Sequence, residues 1–188
     1  MKEEIITSLE KTAFIIQEIK NEAALIEKIS VEIINAYKKK KKVILFGNGG
    51  SAADAQHIAA EFVGKFYKDR ESLPALAFHT NTSVVTATAN DFGYDLIFER
   101  QVSSFVNQGD IVIGLSTSGN SPNVIKGLVK AKELGAITIG FTGQKENKIE
   151  KIVDYCLKIP SIDTPRIQEG HITVGHIICY LVEKELFD

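Results

Sequence analysis

Two loops and one helical face in this chain carry side chains suited to chemistry. Gly47-Asn48-Gly49-Gly50-Ser51-Ala52 follows the apolar run Val43 to Phe46 and leads into a helical stretch. Glycines after a strand permit a tight turn and let backbone N–H groups approach an anion at a helix N-terminus, where the dipole favours negative charge. A second apolar run, Ile111 to Leu115, ends in Ser116-Thr117-Ser118-Gly119-Asn120-Ser121, and Pro122 opens the next helix. The hydroxyls supply rotatable donors, and proline is pre-organised for a first helical turn. Such a neutral cradle can hold a phosphate without lysine or arginine, although serine and threonine are also ordinary N-caps. The pairing of both loops on one sheet is what points to a phosphate. His57 and Glu61 lie four apart on the helix after the glycine loop, hence on one face; taken alone, such residues are more often a surface pair or a satisfied core histidine. A lone His176 in the last helix is likewise usually structural.

The glycine spacing also fits G-x-G-x-x-A, but a nucleotide site wants an acidic residue at the end of the second strand. That strand ends in Phe78-His79-Thr80. No Gly-Lys-Ser or Gly-Lys-Thr follows, which excludes a P-loop.

The elements that must position these groups follow from periodicity. Ile5, Leu9, Ile15, Ile16 and Ile19, then Leu25, Ile26, Ile29, Ile33 and Ile34, predict two amphipathic helices on either side of Asn21. They lie against the main body or a partner subunit. From residue 43 on, short apolar runs alternate with helices, predicting strands at 43–46, 73–78, 111–115, 136–141 and 155–159. This alternation predicts an α/β fold with a parallel sheet covered on both faces, whose ligands sit at the carboxyl ends of the strands. A last helix spans 166–187, with Ile172, Ile177, Ile178, Leu181 and Leu186 expected inside. No repeat, low-complexity tract or long linker interrupts the pattern, so residues 1–188 are expected to form a single domain, with 1–40 as a helical extension and 41–188 as the core.

Composition narrows the function. The chain has 188 residues, a net charge of -2 and only three arginines, Arg70, Arg100 and Arg166, so it offers no basic field for nucleic acid. Lys38 to Lys42 end a helical pattern, where cations suit the helix C-terminus. Cys156 and Cys179 are too few for a disulfide framework, are not spaced as a metal motif, and are expected in the core. Met1-Lys2-Glu3-Glu4 lacks the apolar stretch of a secretory signal, and no apolar run approaches the roughly 18 residues of a membrane span. A cytoplasmic location with no membrane contact is expected.

Four segments in order, Gly47 to His57, Ala89-Asn90-Asp91-Phe92-Gly93, Ser116 to Ser121, and Arg166-Ile167-Gln168-Glu169, resemble the phosphoheptose (sedoheptulose 7-phosphate) isomerases of the sugar isomerase (SIS) fold. The resemblance covers essentially the whole chain. It implies a three-layer αβα sandwich with a five-stranded parallel sheet and N-terminal helices. It further implies conversion of sedoheptulose 7-phosphate to D-glycero-D-manno-heptose 7-phosphate, a precursor of heptose in lipopolysaccharide or capsule.

Moving a proton between adjacent carbons through an enediol needs a base, an acid and a group that polarises the carbonyl. The resemblance implies that Glu61 and His176 are the acid and base, and that His57, Glu61, Gln168 and His176 can hold a zinc ion. Imidazole and carboxylate are ordinary zinc ligands and glutamine an unusual one. By the same resemblance Asn48, Gly49, Gly50, Ser51, Glu61, Asn90, Asp91, Ser116, Thr117, Ser118, Ser121 and Gln168 surround the substrate. His79 and His171 match nothing in the pattern. Lys65 stands where some relatives carry arginine, which turns a bidentate contact into a point charge. Asp163-Thr164-Pro165 lacks the acidic residue some relatives place directly before the arginine.

Helix geometry adds an expectation. Glu61 lies ten residues beyond Ser51, about 15 Å along a continuous helix, and Gln168 and His176 lie about 12 Å apart on theirs. A seven-carbon phosphosugar can hardly span the first gap, and one ion cannot span the second. The site is therefore expected between subunits, and the resemblance implies a homotetramer. Two rivals remain: a non-catalytic regulator of this fold that binds a replication initiator, and an isomerase of another phosphosugar such as arabinose 5-phosphate or a hexulose phosphate.

Overall fold

The computed structural model describes residues 1–188. Helix α1 (Lys2–Glu18) passes through a 3-10 turn at Ile19–Glu22 into α2 (Ala23–Lys38), so the expected break falls at Asn21. Strands β1 (Val43–Gly47), β2 (Ala75–Ala77), β3 (Ile111–Leu115), β4 (Ile137–Gly143) and β5 (Tyr155–Ile159) form one all-parallel sheet in the order β2-β1-β3-β4-β5. Between and after them run α3 (Gly50–Val63), α4 (Thr82–Phe92), α5 (Ile97–Phe105), α6 (Pro122–Glu133) and α7 (Thr164–Phe187). No helix is long and apolar enough to cross a membrane.

The strands read as unbroken apolar runs because both faces of the sheet are covered. Successive side chains point to opposite faces. Val43, Leu45, Ile111 and Ile113 join a core with α2, α3 and α7, while Ile44, Phe46 and Val112 join a second core with α5 and α6. Three layers result, helices on each side of the sheet. The chain lays down β1 and the edge strand β2, then crosses back to place β3 on the other side of β1. That reversal is the topological switch point, outside which ligands of such sheets bind. There Gly47 pairs with Leu115, so the glycine and hydroxyl loops leave the sheet side by side.

Several expectations shift in detail. β2 shortens from 73–78 to Ala75–Ala77; Pro74 has no N–H to give a ladder, though its carbonyl accepts from Val43. On α7 the buried stripe runs through Ile167, His171, Val174, Ile178 and Val182, which leaves Ile177 exposed rather than inside. Ile5 and Leu9 are exposed as well, whereas Ile15, Ile19, Ile26, Ile29, Ile33 and Ile34 are buried. Cys179 is in the core but Cys156 is only partly covered. Within the lysine run, Lys42 reaches into the fold to pair with the buried Asp110 at 2.6 Å.

His171 is fully buried and donates from Nε2 to the Thr142 carbonyl at 3.2 Å. Burial pushes its charge down to about 4, the bond to Thr142 recovering only a part. Below pH ~6.5 the unfolded chain protonates this imidazole while the folded chain does not until about 4. The stabilisation is therefore whole above that window and is lost as pH falls through it, up to about 3 kcal/mol. In urea unfolding between pH 7.5 and 4.5, His171→Gln should lose stability more shallowly than the parent; parallel profiles would contradict this.

Candidate active site

The glycine and hydroxyl loops, the candidate anion end, leave the sheet where β1 and β3 stop. Gly49 has φ +56°, in the left-handed region that glycine tolerates, and α3 starts immediately after it. Asn48 and Asn123 exchange amide hydrogen bonds at 2.9 and 2.8 Å, tying the glycine loop to the first turn of α6. The N-termini of α3 and α6 therefore open onto the same place, and each adds its positive dipole end. In the hydroxyl loop, Ser116 Oγ lies 2.9 Å from Ser121 Oγ and 3.4 Å from Ser118 Oγ, while the Asn120 N–H donates to Ser118. A cleft of about 210 Å³ opens beside this loop, between Thr117, Ser118 and Asn120 on one side and Lys145, Ser161 and Thr164 on the other.

The loop is held from behind. Gly119 has φ +62° and lies so close to the Asn147 side chain that a Cβ would collide with it. Buried Asn147 donates to Thr142 and to the Lys145 carbonyl and accepts from Glu150 N–H. The Ile149 N–H donates to the Gly119 carbonyl, and Lys148 N–H to Asn120.

The second cluster sits farther along α3. His57 Nε2 is 3.2 Å from Glu61 Oε1 and 3.3 Å from His176 Nε2, and one ligand atom from each residue falls within 4.8 Å of the others. The two imidazoles meet edge to face at 4.9 Å, and the Phe66 ring lies 5.6 Å from that of His176. Around an ion bound at 2.0–2.1 Å, tetrahedral ligands stand about 3.3–3.4 Å apart, close to these separations. The donor set, two imidazoles and a carboxylate, fits zinc in chemistry, and the two separations from His57 fit it in spacing. One turn before His57, Asp54 is partly buried; burial pushes its carboxyl up to about 6, against the opposing pull of His57.

Helices α3 and α7 run side by side in the same direction, which separates the remaining expected groups. Gln168 packs on Gly50, where a Cβ would stand 2.5 Å from its amide nitrogen, while Gly175 packs on Ile58 and His176 meets His57. Gln168 accordingly belongs to the anion end of its own chain, about 12 Å of helix from His176. A single chain unites His57, Glu61 and His176 but does not bring Gln168 to them. Asn90 and Asp91 lie exposed at the end of α4, Asn90 donating to Asp91 at 2.8 Å. The nearby Tyr94 hydroxyl, donating to Asn48 at 3.2 Å, links that segment to the glycine loop. Lys65 is exposed, and Arg166 bonds Ser8 and Glu169, joining α1 to α7.

Sequence reasoning missed Asn123, Tyr94, Asp54 and Asn147. Asn123 directly follows the helix-opening Pro122, and Tyr94 follows the Asn90 to Gly93 segment, so both had a positional signal. Asn147 had none.

Residues 9–143 match the family model of the SIS domain. A phosphoheptose isomerase from Clostridium acetobutylicum is 57% identical over 162 residues, covering 86% of this chain and 83% of that protein. One from Geobacter metallireducens is 48% identical over 188 residues and covers both chains completely. The solved structure of a phosphoheptose isomerase from Neisseria gonorrhoeae superposes with a TM-score of 0.92 at 35% identity, covering 97% of this chain and 98% of the other.

The support beneath the hydroxyl loop is open to a direct test. Gly119→Ala forces a left-handed alanine, costing about 1–2 kcal/mol, and displaces Asn147 as well. Titration calorimetry with inorganic phosphate should show affinity at least tenfold weaker while circular dichroism stays native. Equal affinity would mean that this loop does not hold the anion.

Proposed function

The chain belongs to the phosphoheptose isomerases of the SIS-domain family, and from that premise we propose how its residues divide the work of interconverting sedoheptulose 7-phosphate and D-glycero-D-manno-heptose 7-phosphate. The whole chain acts as one SIS unit, with residues 1–40 as its helical extension. The reading rests above all on the convergence of His57, Glu61 and His176 on the paired helices α3 and α7.

Substrate phosphate is received by Ser116, Thr117, Ser118 and Ser121 together with the backbone of Gly49, Gly50 and Ser51. Asn48, Asn90, Asp91 and Gln168 contact the sugar chain. Isomerisation removes a proton from C1 of the ketose, passes through the 1,2-enediol and returns a proton to C2, while a proton moves from O1 to O2. Nothing is gained or lost overall. Glu61 and His176 carry these protons, one as base and one as acid. Their alignment is supported by His57, which lies within hydrogen-bond reach of both.

His57, Glu61 and His176 also form a metal-capable set, with Gln168 of a neighbouring subunit as the fourth ligand. Zinc held there would polarise the carbonyl as a Lewis acid. Zinc on His176 Nε2 would take the lone pair that otherwise carries a proton, so His176 acts as acid or base only in the metal-free cluster, whereas Glu61, with two carboxylate oxygens, can hold a metal and a proton at once. Because the anion end and the triad lie about 15 Å apart along α3, the productive site joins two chains, in a homotetramer. The product supplies heptose for lipopolysaccharide or capsule, in the cytoplasm.

The test is turnover of sedoheptulose 7-phosphate with and without chelator, beside Glu61→Gln and His176→Ala. Each variant should lose roughly 10²–10⁴-fold in kcat with KM little changed. Chelation should lower activity further than either rearrangement of protonation would explain, and zinc should restore it. No turnover by the unmodified protein would overturn the isomerase reading; full activity in a monomeric preparation would overturn the shared site.

A further inference from the structure

Beyond the triad, α7 carries a second ionisable side chain turned toward α3. Glu183 lies seven residues after His176, two turns along the same face, and its side chain is 2% exposed. It accepts from the backbone N–H groups of Phe66, Tyr67 and Lys68 at 3.0, 2.7 and 3.0 Å, and from Arg70 Nε at 2.9 Å. Arg70, equally buried, turns its remaining N–H groups to backbone carbonyls: Nη2 to Glu61 at 2.9 Å, Nη1 to Phe62 at 3.0 Å, and Nη1 also to Gly64 and Glu71. The last carbonyls of a helix have no partner within it. Here one guanidinium takes two of those in α3's final turn, the carbonyls of Glu61 and Phe62, while that of Ala60 accepts from Gly64 N–H.

We propose that the buried Arg70–Glu183 pair is a positioning device that sets the spacing of His57, Glu61 and His176 and thereby the metal affinity of that cluster. One side of the triad stands on α3 and the other on α7, so its spacing depends on how the two helices are held together. The pair bolts them together: Arg70 grips the α3 backbone at Glu61, and Glu183 belongs to α7. The same carboxylate orders Phe66, whose ring lies 5.6 Å from that of His176. Arginine is required because its planar fork reaches several carbonyls and a carboxylate at once, which an ammonium cannot do. Groups that orient metal ligands commonly govern affinity by 10- to 100-fold.

The inference rests on reading the triad as a metal site, and the experiment separates the two. Zinc affinity is measured by competition with a chromophoric chelator for the unmodified protein, Arg70→Lys and Glu183→Gln, well below their unfolding temperatures. Both variants should bind zinc at least tenfold more weakly and lose kcat, while KM for the phosphosugar and the affinity for inorganic phosphate stay within twofold. Unchanged zinc affinity in a folded variant overturns the positioning role. An unmodified protein that binds no zinc overturns the metal reading, and the inference falls with it. Should neither variant fold, hydrogen exchange on the unmodified protein decides. Zinc should slow exchange at the amides of Phe66, Tyr67 and Lys68 several-fold relative to those of Ser116 to Ser121, because coupling between two sites is reciprocal; equal slowing overturns the proposal.

Discussion

Helix α7 can lie along α3 only because glycine stands where the two helices and the sheet come closest. A Cβ on Gly175 would stand 2.5 Å from Ile58, and one on Gly170 would stand 2.8 Å from Ile159 of β5. Close-packed interiors have no room to absorb such overlaps. With those side chains missing, the helices run together in one direction and three groups on α7 acquire fixed partners on or just beyond α3. Gln168 meets Gly50, His176 meets His57, and Glu183 meets Arg70. The axis thus carries the glycine loop at one end, the His57–Glu61–His176 cluster in the middle and a buried ion pair at the other end, at intervals set by the helical rise.

The anion end works by a different economy of charge. No arginine reaches it, and its donors are hydroxyls, backbone N–H groups and two helix termini brought together by the Asn48–Asn123 pair. Each terminus is equivalent to about half a positive charge, so their junction offers about one, fixed in direction. Hydroxyls that bond one another when no anion is present remain satisfied, which avoids the cost of leaving buried polar groups unpaired. A neutral cradle of this kind discriminates by shape rather than by attracting polyanions in general, in keeping with the net charge of -2.

Much of this was legible in the residues. Alternation of apolar runs with helices predicted the parallel sheet, since strands buried on both faces cannot hide their pattern. The two loops were visible because phosphate binding needs glycine and hydroxyl side chains immediately after strands. His57 and Glu61 were visible as a pair because helical spacing is local. What was not legible is whatever depends on contact between distant segments. Nothing in the spacing of Asn147 says that it lies under Gly119, and nothing in Arg70 or Glu183 says that they meet across 113 positions. The exposure of Ile5 and Leu9 was likewise not legible, because the α1 contacts with α7 run through Ser8 and Thr12 instead.

Parallel docking also keeps Gln168 apart from His57, Glu61 and His176 within one chain. Had α7 run antiparallel to α3, His176 would have left His57 and Glu61 for the Gly50 end and Gln168 would have taken its place. In the direction observed, Gln168 is committed to Gly50 and the open side of the triad faces outward, with the His57 side chain 48% exposed. Closing that side takes groups from outside the chain, and so does bringing a phosphate-bound sugar within reach of Glu61. Both needs are met at once if a second copy presents its own anion end to the exposed face of this triad. The exposed apolar residues of α1, Ile5, Ile6, Leu9 and Phe14, offer surface for such an association without using any group the site requires.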